Sequence, residues 1–167
     1  MNPPQILIAG VGNIFHGDDG FGVEVAGRLQ HIDLPDGVRV VDFGIRAFDL
    51  ACALQGDYDA VILVDAMSQG GEPGTVYVVE PELDQPGGER TPLPMNPHGL
   101  NPTDVIRWVK ALRGTLPRII VVGCEPAVLG SEEDVLMALS KPVQAAVEQA
   151  VATVCSFVSE MAERCTS

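Results

Sequence analysis

The chain is short of basic residues and of histidine. Its 167 residues carry 10 Lys and Arg against 23 Asp and Glu, a formal charge of -13, and only 3 His. A surface of that sign disfavours nucleic acid and anionic membranes and favours cations and basic protein surfaces, so neither nucleic acid nor membrane is an expected partner. Long apolar runs are lacking as well, since none approaches the roughly 20 residues of a membrane-spanning helix. No basic stretch precedes the first apolar run at Ile6, and a cytoplasmic protein is expected. The four cysteines, Cys52, Cys124, Cys155 and Cys165, include no C-x-x-C pair. That argues against a zinc ribbon, a thioredoxin-type dithiol and a disulfide scaffold, and leaves core or surface thiols.

What is present is a core. With 46% of positions hydrophobic, the chain suits one domain over residues 1–167 and is too short for two. Short apolar runs alternate with helical patterns, the signature of a three-layer α/β fold with a mostly parallel sheet. Strands are expected at Ile6 to Gly10, Val38 to Asp42, Ala60 to Asp65 and Ile119 to Gly123, with the run before Asp65 apolar enough for burial on both faces. Thr75 to Val79 follows a connection too short for a crossover helix and reads as an antiparallel or edge strand. Helices are expected over Gly20 to Gln30, Phe48 to Leu54, Pro102 to Leu112 with Asn101 as N-cap, and Pro142 to Ala162. Between Pro81 and Asn101 the prolines and glycines predict a long loop of the functional kind.

The most informative segment joins the first strand to the first helix: Gly10-Val11-Gly12-Asn13-Ile14-Phe15-His16-Gly17-Asp18-Asp19-Gly20-Phe21-Gly22. A dinucleotide-binding turn needs a small residue where Phe15 stands and a helix starting directly after the glycines. Both requirements fail. The loop instead brings two carboxylates to a helix N-terminus, which repels an anionic ligand. An ordinary cap requires one carboxylate, so one Asp is expected to cap the helix and the other to face a cleft.

Ligands of open α/β sheets bind outside the carboxyl ends of the strands, where strand order reverses. With the first strand between the second and third, Asp19 and Asp65 would meet there, although an Asp closing a strand is also a common Asx turn. Two carboxylates about 5 Å apart at an effective dielectric near 20 repel by on the order of 3 kcal/mol, enough to raise a pKa or to attract a cation. His98, in Asn96-Pro97-His98-Gly99-Leu100, could add an imidazole if the long loop folds back, whereas a lone loop His more often does nothing. Two carboxylates and an imidazole with open positions suit a divalent metal such as nickel or zinc. No H-E-x-x-H helix and no G-x-S-x-G elbow is present. Cys124 is expected to be a buried structural thiol, since no segment clearly carries a His to it.

At these residues the chain resembles the hydrogenase maturation endopeptidases. The motifs are Gly10-x-Gly12-Asn13, the acidic pair before Gly20-x-Gly22, Asp65-Ala66, Pro97-His98-x-Leu100, Gly123-x-x-Pro126 and the helix after Pro142. The resemblance implies a twisted five-stranded sheet with helices on both faces, and metal ligands at Asp19, Asp65 and His98. It also implies an aspartic-like protease activity: removal of the C-terminal extension of a nickel-iron hydrogenase large-subunit precursor, just beyond its last cysteine-containing nickel motif. The nickel is then supplied by the bound substrate, and no organic cofactor is expected. The general base is not readable; Asp18 and Asp42 are candidates by position.

One departure stands out. Many relatives follow the second strand with an Asp-Gly-Gly-Thr-like turn, whereas this chain has Asp42-Phe43-Gly44-Ile45-Arg46, placing Phe43 and Arg46 next to the expected cleft. That implies a different hydrogenase partner or tail. Arg46 would either contact a substrate carboxylate or pair with surface acids. Two other activities share the expected ligand set: a non-proteolytic nickel-site chaperone for the large subunit, and a small-molecule metallohydrolase with a resident metal.

Overall fold

A computed structural model describes residues 2–82 and 101–166. Five strands form one sheet in the order β2-β1-β3-β5-β4. They are β1 (Ile6–Val11), β2 (Val38–Gly44), β3 (Ala60–Ala66), β4 (Val76–Val79) and β5 (Arg118–Cys124). Every residue of β1 is buried, as is Ala60 to Val64 of β3, the behaviour expected of central parallel strands covered on both faces. β1 pairs in parallel with β2 and β3, and β3 with β5, while β4 runs antiparallel at the edge of β5. The antiparallel edge strand follows from the short connection before it, as expected.

Strand alternation divides the core between two layers of helices. Ile6 and Ile8 of β1 pack with Phe21, Val25 and Leu29 of α1 (Phe21–Leu29) and with Val147 and Val154 of α4 (Lys141–Thr166). Leu7, Ala9 and Val11 point the other way, to Leu50 of α2 (Ala47–Ala53) and to Val105 and Val109 of α3 (Pro102–Arg113). The period of two that sends successive side chains to opposite faces thus builds the three-layer α/β fold. Asn101 caps α3 by accepting from the Thr103 amide at 3.1 Å, with Pro102 in the first turn.

Strands and helices fall within a few residues of their expected bounds; α4 runs furthest, to Thr166. Met161 is the last residue of α4 packed against the core among the described residues. β2 runs past Asp42 through a bulge: Gly10 pairs with Asp42 but Val11 with Gly44, so Phe43 is the extra residue. Its side chain goes into the core, 4% exposed among Ala9, Val11 and Leu50. The expectation of Phe43 beside the cleft is therefore corrected, because Phe43 takes the same face of β2 as Val41 and packs into the core there.

Two glycines position the segment that matters. A Cβ on Gly22 would lie 2.1 Å from the Val64 carbonyl oxygen and 2.4 Å from that of Val11, so the first turn of α1 rests directly on the ends of β1 and β3. Gly12, at φ +134°, would place a Cβ 1.8 Å from the Asp19 carbonyl. Only residues without a side chain let the loop fold back this tightly.

Candidate functional site

The strand order places the switch point between β1 and β3. From β1 the chain leaves to β2 on one side, and β3 returns on the other. Asp65 follows Val64, the partner of Gly10, and stands opposite Gly123 of β5. Asp19 lies in a single 3-10 turn, Asp18–Gly20, immediately before α1. Its carboxylate accepts from the Asn13 amide at 2.9 Å, which ties the end of the β1–α1 loop to its beginning. Asp42 pairs with Gly10 just before the bulge in β2, and its Oδ1 accepts from the Gly44 amide at 2.8 Å. Three half-buried acids therefore line the carboxyl edge of β2, β1 and β3.

Asp19 and Asp65 act on each other. Burial, and then the negative charge of Asp19, push the Asp65 carboxyl well above the ordinary carboxylate value, against a hydrogen bond from the Ala66 amide. This is the repulsion expected of two acids at one crevice. His98 lies outside the described residues. Among the described residues no group of three or more His, Cys, Asp or Glu is placed to hold a metal ion; of the three anticipated ligands, Asp19 and Asp65 fall within them.

Asp18 does something else. Its side chain is fully buried. Oδ2 accepts from the amides of Ala127 and Val128 at 2.8 and 2.9 Å and from the Ser140 hydroxyl at 2.8 Å, while Oδ1 accepts from the Ser140 amide at 2.7 Å. Burial alone would raise its pKa, but these donors together hold it below the ordinary value. Neither Asp caps the helix that follows, for no side-chain cap bond is made at Gly17 or Gly20. The capping expectation is corrected. Asp18 instead binds the β5–α4 loop and the residue before α4, where an anion also suits the helix dipole. With both oxygens engaged and no exposure, it does not fit the general-base role, and Asp42 is the acid left beside the cleft.

The same wall holds a second buried carboxylate whose role the sequence did not disclose. Glu125 accepts from the Gln69 amide at 2.7 Å and from the Tyr77 hydroxyl at 2.9 Å. The Gln69 amide, with help from Tyr77 and the amides of Gly70 and Gly71, outweighs burial and lowers its pKa. It thereby fixes the β3–β4 connection just beyond Asp65. Nothing in Gly123-x-x-Pro126 as a string identifies that acceptor, and the Ser140 donors to Asp18, more than 100 residues away in sequence, are equally silent.

Arg46 takes the second of its two expected roles. It pairs with Asp49 at 3.1 Å and donates to the carbonyls of Phe43 and Asp42, closing the β2–α2 turn on the surface.

Cys124 is fully buried, and its thiol is pushed up to about 11 by burial and by the charges of Asp18 and Glu125. Near neutral pH on the order of one molecule in several thousand carries a thiolate there. Iodoacetamide at about pH 7.5 should therefore label the exposed Cys52 and leave Cys124 untouched until denaturant is added, as peptide mass spectrometry would show. Labelling of Cys124 at the rate of Cys52 in the native protein would contradict its role as a structural thiol.

The sheet and its acid-lined crevice define a doubly wound α/β protein with a switch-point site chemically suited to a cation. The family model described as Hydrogenase maturation protease matches residues 23–157. The chain is 36% identical to hydrogenase expression/formation protein HupM of Azotobacter chroococcum over 160 residues, 94% of this chain and 73% of that protein. Among solved structures, hydrogenase 2 maturation peptidase from a Thaumarchaeota archaeon is similar at TM-score 0.69 and 31% identity, covering 93% of this chain and 98% of that one. Hydrogenase maturating endopeptidase HybD from E. coli is similar at TM-score 0.73 and 26% identity, covering 93% of each. The chain belongs to the hydrogenase maturation protease family.

Proposed function

We propose that this protein is the endopeptidase that removes the C-terminal extension of a nickel-loaded nickel-iron hydrogenase large-subunit precursor. The observation that carries this reading is the approach of Asp19 to Asp65 at the switch point, where burial and then the charge of Asp19 raise the Asp65 carboxyl. Two acids in mutual repulsion gain most from a cation between them, and a cation that arrives inside the substrate makes cutting conditional on its arrival. Asp19, Asp65 and His98 engage the precursor's nickel and so hold the scissile bond over the cleft. The bound ion polarises the carbonyl or activates a water. In this reading Asp42, half-buried on the other side of β1, takes the proton.

The test is to incubate the purified, metal-free protein with nickel-loaded precursor and to follow the precursor's mass. The expected result is loss of one C-terminal fragment, with nickel-free precursor left whole. A precursor that is bound but never shortened would support the chaperone activity instead. Processing that required metal added to the protease itself would point to a resident-metal hydrolase.

A further inference from the structure

Beyond the crevice, the β1–α1 loop takes part in a second arrangement. Residues 15–18 run between two stretches of the β5–α4 loop. On one side the Leu136 amide donates to the Phe15 carbonyl at 2.8 Å and the Gly17 amide to the Leu136 carbonyl at 2.7 Å. On the other the Gly130 amide donates to the His16 carbonyl and the Asp18 amide to the Val128 carbonyl, both at 3.0 Å. Isolated bridges His16–Leu136 and Gly17–Leu129 mark the same pairing. Three chain segments thus form a small platform at the carboxyl edge of the sheet, fastened beneath by Asp18.

A platform of this kind would ordinarily turn its large apolar side chains inward. Here Ile14, Phe15, Val128, Leu129, Val135 and Met137 are all exposed, from 46% for Ile14 to 71% for Met137. Single exposed apolar residues require no explanation. Six on three mutually hydrogen-bonded segments form a patch of the sort that marks an interaction surface. Between Leu129 and Val135 lie Glu132, Glu133 and Asp134, also exposed, so the apolar arms flank an acidic tip. Two copies of this chain would bring those acids together in molecules already charged at -13, which opposes self-association. A different partner, apolar at its centre with Lys and Arg at its rim, meets both features.

Resting on the function proposed above, we propose that this platform docks the large-subunit precursor through an apolar surface edged by Lys and Arg. The same loop carries Phe15 into the platform and Asp19 into the crevice. Docking therefore sets where the precursor's C-terminal tail enters, independently of the nickel.

The experiment measures equilibrium binding of immobilised nickel-free precursor from the protein's own source organism, alongside cleavage of nickel-loaded precursor. The Leu129→Ser/Met137→Ser pair should raise Kd by about tenfold or more, and raise KM for cleavage with kcat preserved. The Glu133→Lys/Asp134→Lys pair should weaken binding at low ionic strength and by less at about 0.3 M salt. Unchanged Kd in the serine pair overturns the docking surface, as does wild-type protein that ignores nickel-free precursor altogether. So does a wild-type dimer that the serine pair converts to monomer, since a second copy would then occupy the patch. A marked fall in Tm for the serine pair likewise overturns it, by showing these side chains covered from within. Failure of the protease reading is separate: nickel-loaded precursor would bind through the platform and keep its full mass.

Discussion

Replacing Asp18 with alanine is expected to cost about 3–5 kcal/mol of stability, a fall in Tm of roughly 10 °C for a chain this size. The change strands the amides of Ala127, Val128 and Ser140 and the Ser140 hydroxyl, all of which donate to this one carboxylate. An unsatisfied buried donor costs far more than a net hydrogen bond gains, and four are left at once. Asp18→Asn keeps the shape but turns an amide NH2 toward N–H groups, so it should recover only part of the loss. The pH dependence follows in sign. Because the folded state holds Asp18 below its ordinary value of 3.8, its charge stabilises fully above that pH, and the contribution fades as pH falls through the lowered value. The gap between wild type and Asp18→Asn in denaturant melts should thus be widest near neutrality and narrow below about pH 4. A variant as stable as wild type at neutral pH would show that the β5–α4 loop is held by other contacts.

The fold was legible because its signals are short-range. Apolar runs such as Ile6 to Ala9 and Val61 to Val64 announce buried parallel strands, and Asn101 with Pro102 announces the start of α3. Five strands were expected from the apolar runs and from the family resemblance alike, and β2-β1-β3-β5-β4 agrees with that count. Of the site, Asp65 was legible as the single acid ending an apolar strand. Asp19 was expected opposite Asp65 from the strand order, but which of the two adjacent acids the tight loop would bury outright was not legible. Sterics decide that question: Gly12 and Gly22 let the loop collapse onto β1 and β3, and the collapse buries Asp18 and leaves Asp19 half-buried. The acceptor role of Asp18 depends on partners at 127, 128 and 140, and no local pattern reaches that far. Phe43 misled because it was placed by its nearness to the cleft along the chain, whereas alternation from Val41 sends its side chain into the core.

Asp65→Asn should reduce processing of nickel-loaded precursor by on the order of a thousandfold, and should do so in a protein more stable than wild type. The two effects share one cause. In the folded state burial and then Asp19 raise the Asp65 carboxyl well above its ordinary value of 3.8; its ionised form opposes folding, and a neutral isostere removes that opposition. A gain of about 1–2 kcal/mol is the usual scale for relieving strain held at a functional site. The linkage fixes where the gain appears. Below the ordinary value both states are protonated and the variant gains nothing from lost charge; the advantage grows as pH rises through it and is complete above the raised folded-state value. His98→Ala should lose processing comparably, so the pair separates ligand loss from charge relief. Thermal melts at several pH values, set beside precursor mass, give both readouts from one preparation. Asp65→Asn that processes at the wild-type rate would remove Asp65 from the chemistry, and one that melts lower at neutral pH would mean that its carboxylate supports the fold.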